Sequence, residues 1–183
     1  GLKKVLAENK EKKLLIILHT MGSHGPAYYN RYTKDFEKFT PTCKSNEPQG
    51  CNIEELNNTF DNTIVYTDYI ISSAIDILKK ETKSQNFLIY ASDHGESLGE
   101  KGIYLHGLPM SIAPKEQIHI PALLWSSENL KEKRRKISKS YPASGQIKSK
   151  ITHEFLPHTM LDFFNLKTSY LNLNKSVLSL EDN

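Results

Sequence analysis

Phe87-Leu88-Ile89-Tyr90-Ala91-Ser92-Asp93-His94-Gly95-Glu96 joins a short apolar run to a group of chemistry-bearing residues. An apolar run of this length, rich in aromatic and β-branched side chains, reads as a buried strand of an α/β sheet. Open α/β folds place their chemistry at the carboxyl ends of such strands. There the adjacent Asp93 and His94 set a carboxylate oxygen beside an imidazole nitrogen. Gly95 is read as permitting the sharp turn out of the strand. Two ligands of this hardness on adjacent backbone suit zinc. The plainer reading is a solvated turn in which Asp93 caps the next segment.

Two further histidines favour the metal reading. Leu14-Leu15-Ile16-Ile17-Leu18 reads as a first strand and runs into His19-Thr20-Met21-Gly22-Ser23-His24-Gly25-Pro26. Gly102-Ile103-Tyr104-Leu105-His106-Gly107-Leu108-Pro109 follows soon after the Asp-His pair. His24 and His106 thus lie in loops punctuated by glycine and proline, where functional residues concentrate. In a parallel sheet such loops meet at one edge, so His24, Asp93, His94 and His106 are expected to converge. A lone loop histidine is usually just solvated. A set of such residues, most of them flanked by glycine, is not.

The remaining pattern is that of an α/β fold with a mostly parallel central sheet flanked by helices. Asn52 reads as an N-cap with Glu55 as its capping-box partner. Leu56, Phe60, Ile64, Ile71, Ile75 and Leu78 then recur at helical spacing, predicting a long core-facing helix to Lys80. Pro121 to Trp125 reads as another strand, with the proline at its start. Thr152 to Phe164 reads as a terminal helix that Pro157 either kinks or begins. Trp125, Phe155, Leu156, Met160, Leu161 and Phe164 are expected in the core, and the tail from Asn165 to Asn183 has no clear assignment.

Composition bounds the function. The 183 residues, 38% hydrophobic, suffice for one domain. The apolar runs are too short to span a bilayer, and Gly1-Leu2-Lys3-Lys4 does not open a signal peptide. Export would therefore depend on sequence outside this chain. A net charge of +3 is mildly basic, and no readout motif accompanies it to suggest nucleic-acid binding. The run Lys131 to Lys136 reads as a solvated helix face, with anionic lipid headgroups as the alternative partner. Cys43 and Cys51 bracket a polar loop, a spacing open to a local disulfide, to free thiols or to weak metal ligation.

These blocks together resemble the C-terminal part of the catalytic domain of the bacterial phosphoethanolamine transferases. That group includes the lipid A modifying and mobile colistin-resistance enzymes of the alkaline phosphatase and sulfatase superfamily. The resemblance runs through His19 to Tyr32, Phe39 to Cys43, Asp61 to Tyr69, Ser92 to Glu100, Gly102 to Pro109 and Ile120 to Trp125. Residues 128–145 match nothing, and Thr152 to Asn165 resembles the family's last helix only loosely.

The resemblance implies Asp93 and His94 as ligands of a catalytic zinc, and His24 and His106 as phosphoryl-binding residues or ligands of a second zinc. Glu96 takes a supporting role, and Cys43 pairs with Cys51 in the oxidising periplasm. Zinc would activate a threonine that attacks the phosphorus of phosphatidylethanolamine, and lipid A or another envelope glycan would accept the group.

The family's threonine nucleophile and an acidic ligand lie upstream of the His24 block. Here residues 1–13 hold no threonine, and Thr20, Thr40, Thr42 and Thr59 match no nucleophile position. The family's membrane domain is absent as well. Residues 1–183 are therefore expected to be the C-terminal portion of a sulfatase-like catalytic domain, incomplete on its N-terminal side and inactive alone. A sheet edge left uncovered would favour a homodimer. The alternatives are a related sulfatase, phosphoglycerol transferase or phosphatase, and a non-catalytic, self-associating metal-binding fragment.

Overall fold

The computed structural model describes residues 1–137 and 151–179, with backbone only for 133–137. Its helices are α1 (Leu2–Glu8), α2 (Ile53–Lys79), α3 (Lys115–Ile118), α4 (Glu128–Ile137) and α5 (Phe155–Phe163). Its strands are β1 (Phe87–Ala91), β2 (Ser97–Leu98), β3 (Tyr104–Leu105) and β4 (Ala122–Ser126). The chain forms two compact units. One comprises 16–77 and 89–124, the other 1–15, 78–88 and the described residues from 125 onward. Among the described residues no helix is long and apolar enough to cross a membrane.

In the first unit Asn52 caps α2, its Oδ1 accepting the Glu54 N–H at 2.8 Å. Glu55 contributes its carbonyl, which accepts from the Thr59 hydroxyl at 2.6 Å and from Cys43 N–H at 3.2 Å. The inward face of α2 differs from the expected apolar stripe. Leu56 is buried, but so are Thr59, Asn62 and Thr63, whereas Ile64 is 49% exposed. The reason is the loop packed on the helix, whose backbone groups need partners. Asn62 Oδ1 accepts from Lys38 N–H (2.7 Å) and Phe39 N–H (2.9 Å), and its amide donates to Phe39 O (2.9 Å). Tyr28, Cys43 and Leu56 form a buried cluster, flanked by Cys51, Phe60, Leu98, Tyr104 and Leu105.

Strand β1 forms where expected, and so does β4, beginning just after Pro121. The two strands pair. Ser92 N–H donates to Pro121 O, and Ser127 N–H to Asn86 O, so they run in opposite directions. β2 and β3 are antiparallel too, with Ser97 opposite Leu105. The α/β class holds, while the pairs within the described residues are antiparallel. Leu14 to Leu18 corrects the expectation of a first strand. It belongs to no strand, and no described residue offers it a ladder partner. An apolar run reports a tendency to pair, not the presence of the pairing strand.

In the second unit Pro157 falls in the first turn of α5, where helical N–H groups have no partner to lose. The tail returns onto this helix. Ser176 and Ser179 hydroxyls donate to Asp162 Oδ2 at 2.6 and 2.9 Å, and Val177 N–H donates to Thr159 Oγ1 at 3.0 Å. That docking buries Val177 and Leu178. Residues 138–150 and 180–183, including part of the unmatched stretch and the tail end, lie outside the described residues.

Candidate metal and phosphate site

The antiparallel register builds the site's base. Ser97 pairs with Leu105, so the next position outward sets Glu96 opposite His106. His106 Nδ1 lies 2.8 Å from Glu96 Oε2. Gln117, buried beneath the following loop, donates to Ser97 Oγ (3.1 Å) and Leu105 O (3.0 Å) and accepts from Leu108 N–H (3.4 Å). His94 follows β1, held by its own N–H on Asp93 Oδ1 (3.1 Å) and its carbonyl on the Ser92 hydroxyl (2.6 Å). His24 sits in a turn closed by its N–H on Met21 O (3.1 Å) and braced by Arg31 Nε on its carbonyl (2.8 Å).

These loops bring His24, His94 and His106 together, with one ring nitrogen of each within 4.8 Å of the others. The His94 and His106 rings stack at 3.7 Å, and His24 meets them edge-on at 6.0 and 5.1 Å. Each Nδ1 faces an oxygen: Gly25 O for His24 (2.6 Å), Gly95 O for His94 (2.9 Å) and Glu96 Oε2 for His106. Carbonyls and carboxylates only accept, so each Nδ1 carries the hydrogen. In a neutral ring that leaves the lone pair on Nε2. Metal-binding histidines are oriented in this way, with the second nitrogen donating to an oxygen behind the ligand.

Glu96 is the site's buried charge, its side chain 5% exposed. Its ion pairs among the described residues are with His94 and His106. Tyr28 donates to its other oxygen, Oε1, at 2.7 Å. Burial, and then the Glu96 hydrogen bond and charge, push the Tyr28 hydroxyl well above its ordinary pKa, so it stays a donor. A cation on the Nε2 side of the cluster would answer the Glu96 charge. The donor set therefore fits a divalent metal of borderline softness.

Asp93 lies at the cluster's edge, its side chain 81% exposed and Oδ1 3.8 Å from His94 Nε2. Two ligands on a tetrahedral zinc stand about 3.3 Å apart, close to that separation. His94 thus neighbours both Asp93 and the other histidines. Cys43 and Cys51 form the disulfide, with Cα atoms 5.8 Å apart. Sequence reasoning missed Tyr28 and Gln117. Tyr28 lies inside a motif block, but nothing in the pattern separates it from Tyr29.

Fold and site together are of the alkaline phosphatase and sulfatase class. The profile of the family described as Sulfatase matches residues 1–166. The chain belongs to that family. Phosphoethanolamine transferase EptA of Salmonella typhimurium is 47% identical over 165 residues, 90% of this chain and 30% of that protein. Phosphatidylethanolamine transferase Mcr-2 of Escherichia coli is 41% identical over 167 residues, 91% of this chain and 29% of that protein. The C-terminal periplasmic domain of phosphoethanolamine transferase EptC from Campylobacter jejuni matches with a TM-score of 0.80 and 44% identity, over 99% of this chain and 59% of that one. The soluble domain of lipooligosaccharide phosphoethanolamine transferase A from Neisseria meningitidis gives a TM-score of 0.86 and 35% identity, over 100% of this chain and 54% of that one. The chain spans about 30% of the length of its curated EptA relative.

Proposed function

We propose that residues 1–183 are the C-terminal portion of the catalytic domain of a zinc-dependent phosphoethanolamine transferase. It would act on lipid A or another envelope glycan at the periplasmic face of the bacterial inner membrane, and contribute to polymyxin resistance. Phosphatidylethanolamine is the donor, and the group passes through a phospho-threonine supplied from outside these residues. The carrying observation is the three-histidine cluster, each Nδ1 tied to an oxygen and each Nε2 left open. The names of the relatives support the substrate class.

In this reading Asp93 and His94 hold the zinc. His24 and His106 bind the phosphoryl oxygens or a second zinc, and Glu96 fixes His106. Bound zinc would supply positive charge for the phosphate and for the attacking alkoxide. His24 Nδ1–H stays on Gly25 O and His106 Nδ1–H on Glu96, so both present Nε2 to the substrate. A protonated Nε2 on either ring can donate to the departing oxygen. The 183 residues alone would not turn over, and would self-associate as a homodimer.

The test is metal content of the purified chain beside Asp93→Ala and His24→Ala. Zinc near one per chain that falls with Asp93→Ala supports the reading. Zinc lost only with His24→Ala moves the site to the loop histidines, and a chain that takes up no zinc overturns it. Transfer of phosphoethanolamine to lipid A by the 183 residues alone would overturn the placement of the nucleophile.

A further inference from the structure

His106 has a carboxylate behind it, and that carboxylate has a tyrosine behind it. Tyr28 is 2% exposed, with its ring edge-on to Phe60 at 5.5 Å and its N–H on Pro26 O at 3.1 Å. Its hydroxyl reaches Glu96 Oε1, while Glu96 Oε2 takes the hydrogen of His106 Nδ1. Oε1 thus faces the tyrosine, while Oε2 lies 2.8 Å from His106 Nδ1 and 3.9 Å from His94 Nδ1.

Gly25 gives an independent sign that this contact shapes the chain around it. A Cβ there would lie 2.7 Å from the Tyr28 hydroxyl oxygen, 2.9 Å from Glu96 Oε1 and 2.7 Å from Leu105 Cδ2. Any side chain here would force the Tyr28 hydroxyl, the Glu96 carboxylate or Leu105 to shift.

We propose that Tyr28 is a positioning residue: acting through Glu96, it fixes His106 as the Nδ1–H tautomer with Nε2 open to the cluster. The tyrosine acts as a donor only, because its hydroxyl proton is held by burial and by the carboxylate it faces. It therefore pins Oε1, which stops the carboxylate rotating and keeps Oε2 within hydrogen-bond distance of His106 Nδ1. Without the hydroxyl, Glu96 has a free oxygen and a rotatable end, and His106 is released to protonate at Nε2 instead. A ring protonated there has no lone pair for a metal or for a phosphoryl-bound cation. The tautomer follows from the local contacts, while its consequence for zinc rests on the proposed function.

Long-range 1H–15N correlation spectra of the imidazoles in the metal-free 183-residue chain read the tautomer directly. Wild type is expected to show His106 with a protonated Nδ1 and a bare Nε2. In Tyr28→Phe the two nitrogens should move toward a mixed or reversed pattern. An unchanged His106 pattern in a folded Tyr28→Phe overturns the proposal, as does a wild-type His106 protonated at Nε2. Gly25→Ala is the second variant, crowding the same hydrogen bond without removing the hydroxyl, and should shift His106 in the same direction.

Zinc competition against a chelator separates this from the proposed function. Tyr28→Phe is expected to weaken zinc held through His106, by no more than the about 10–100-fold lost when the group directly behind a metal ligand is removed. Equal affinity in the folded variant counts against Tyr28 as a positioning residue. A wild-type chain that takes up no zinc overturns the metal reading, and the imidazole spectra then decide the role of Tyr28.

Discussion

Gly95 packs so closely against the backbone of Glu116 that a Cβ on it would lie 2.0 Å from the Glu116 carbonyl oxygen. The carbon of that carbonyl and that of Gln117 would be 3.0 and 3.1 Å away. The contact is sealed by Gly95 N–H on Gln117 O at 2.9 Å. Gly95 is absent from the positive-φ positions, so the need for glycine here is space and not turn conformation. The clashing atoms are backbone and have no rotamer through which to escape.

Gly95→Ala is therefore expected to push β1's outgoing loop away from α3. Overpacking of this kind costs about 1–3 kcal/mol, and backbone contact places it at the upper end. Urea unfolding measures the loss, and zinc uptake should weaken with it because His94 and Glu96 flank the glycine. A variant as stable as wild type would mean that the loop yields without cost.

Asn62→Leu tests the polar interior of α2. The substitution keeps the branched shape of the side chain but strands Lys38 N–H, Phe39 N–H and Phe39 O, all of which Asn62 now satisfies. These bonds are part-buried, so each orphaned group costs toward the lower end of about 1–3 kcal/mol, and the loss should exceed that of a typical surface change. Denaturant midpoints of the two chains settle it, and a change within error would show that water takes over the loop's backbone groups.

This residue also marks where sequence reading ran out. Periodicity found the length of α2 and its cap at Asn52, because apolar spacing and a capping side chain are local signals. It could not find Asn62 and Thr59 on the inner face, since their partners come from a loop about 20 positions away in the chain. The site divides in the same way. His24, Asp93, His94 and His106 were legible from glycine-marked loops and motif blocks. Tyr28 was not, because burial at 2% and a bond to Glu96, 68 residues on, leave no trace beside the similar Tyr29.

Tyr28 also carries a pH signature. Its folded pKa is raised above the ordinary 10.0 by burial first, then by Glu96 and Glu100. Tyr32 and Tyr90 are raised as well, chiefly by burial. As pH rises past 10, the unfolded chain gives up phenolic protons that the folded chain retains. Folding is then opposed, and stability present at neutral pH is lost on the alkaline side. Tyr28→Phe should start less stable but decline less steeply above pH 10 than wild type. Chemical denaturation across that range is the measurement, and parallel slopes would remove Tyr28 from the alkaline transition.

Leu14 to Leu18 gives the last expectation. Leu15, Ile17 and Leu18 are 57%, 78% and 57% exposed on a stretch without a ladder partner among the described residues. An unladdered stretch can still pair through its N–H and C=O groups, and apolar side chains gain about 25 cal/mol for each Å² removed from water. A second copy of the chain offers the same stretch for antiparallel pairing, which a two-fold axis permits. Sedimentation velocity should therefore show a concentration-dependent dimer, and Leu15→Lys with Ile17→Lys should return it to monomer by placing like charges across the new pair. A wild-type chain that stays monomeric at every concentration would mean that this stretch does not mediate self-association.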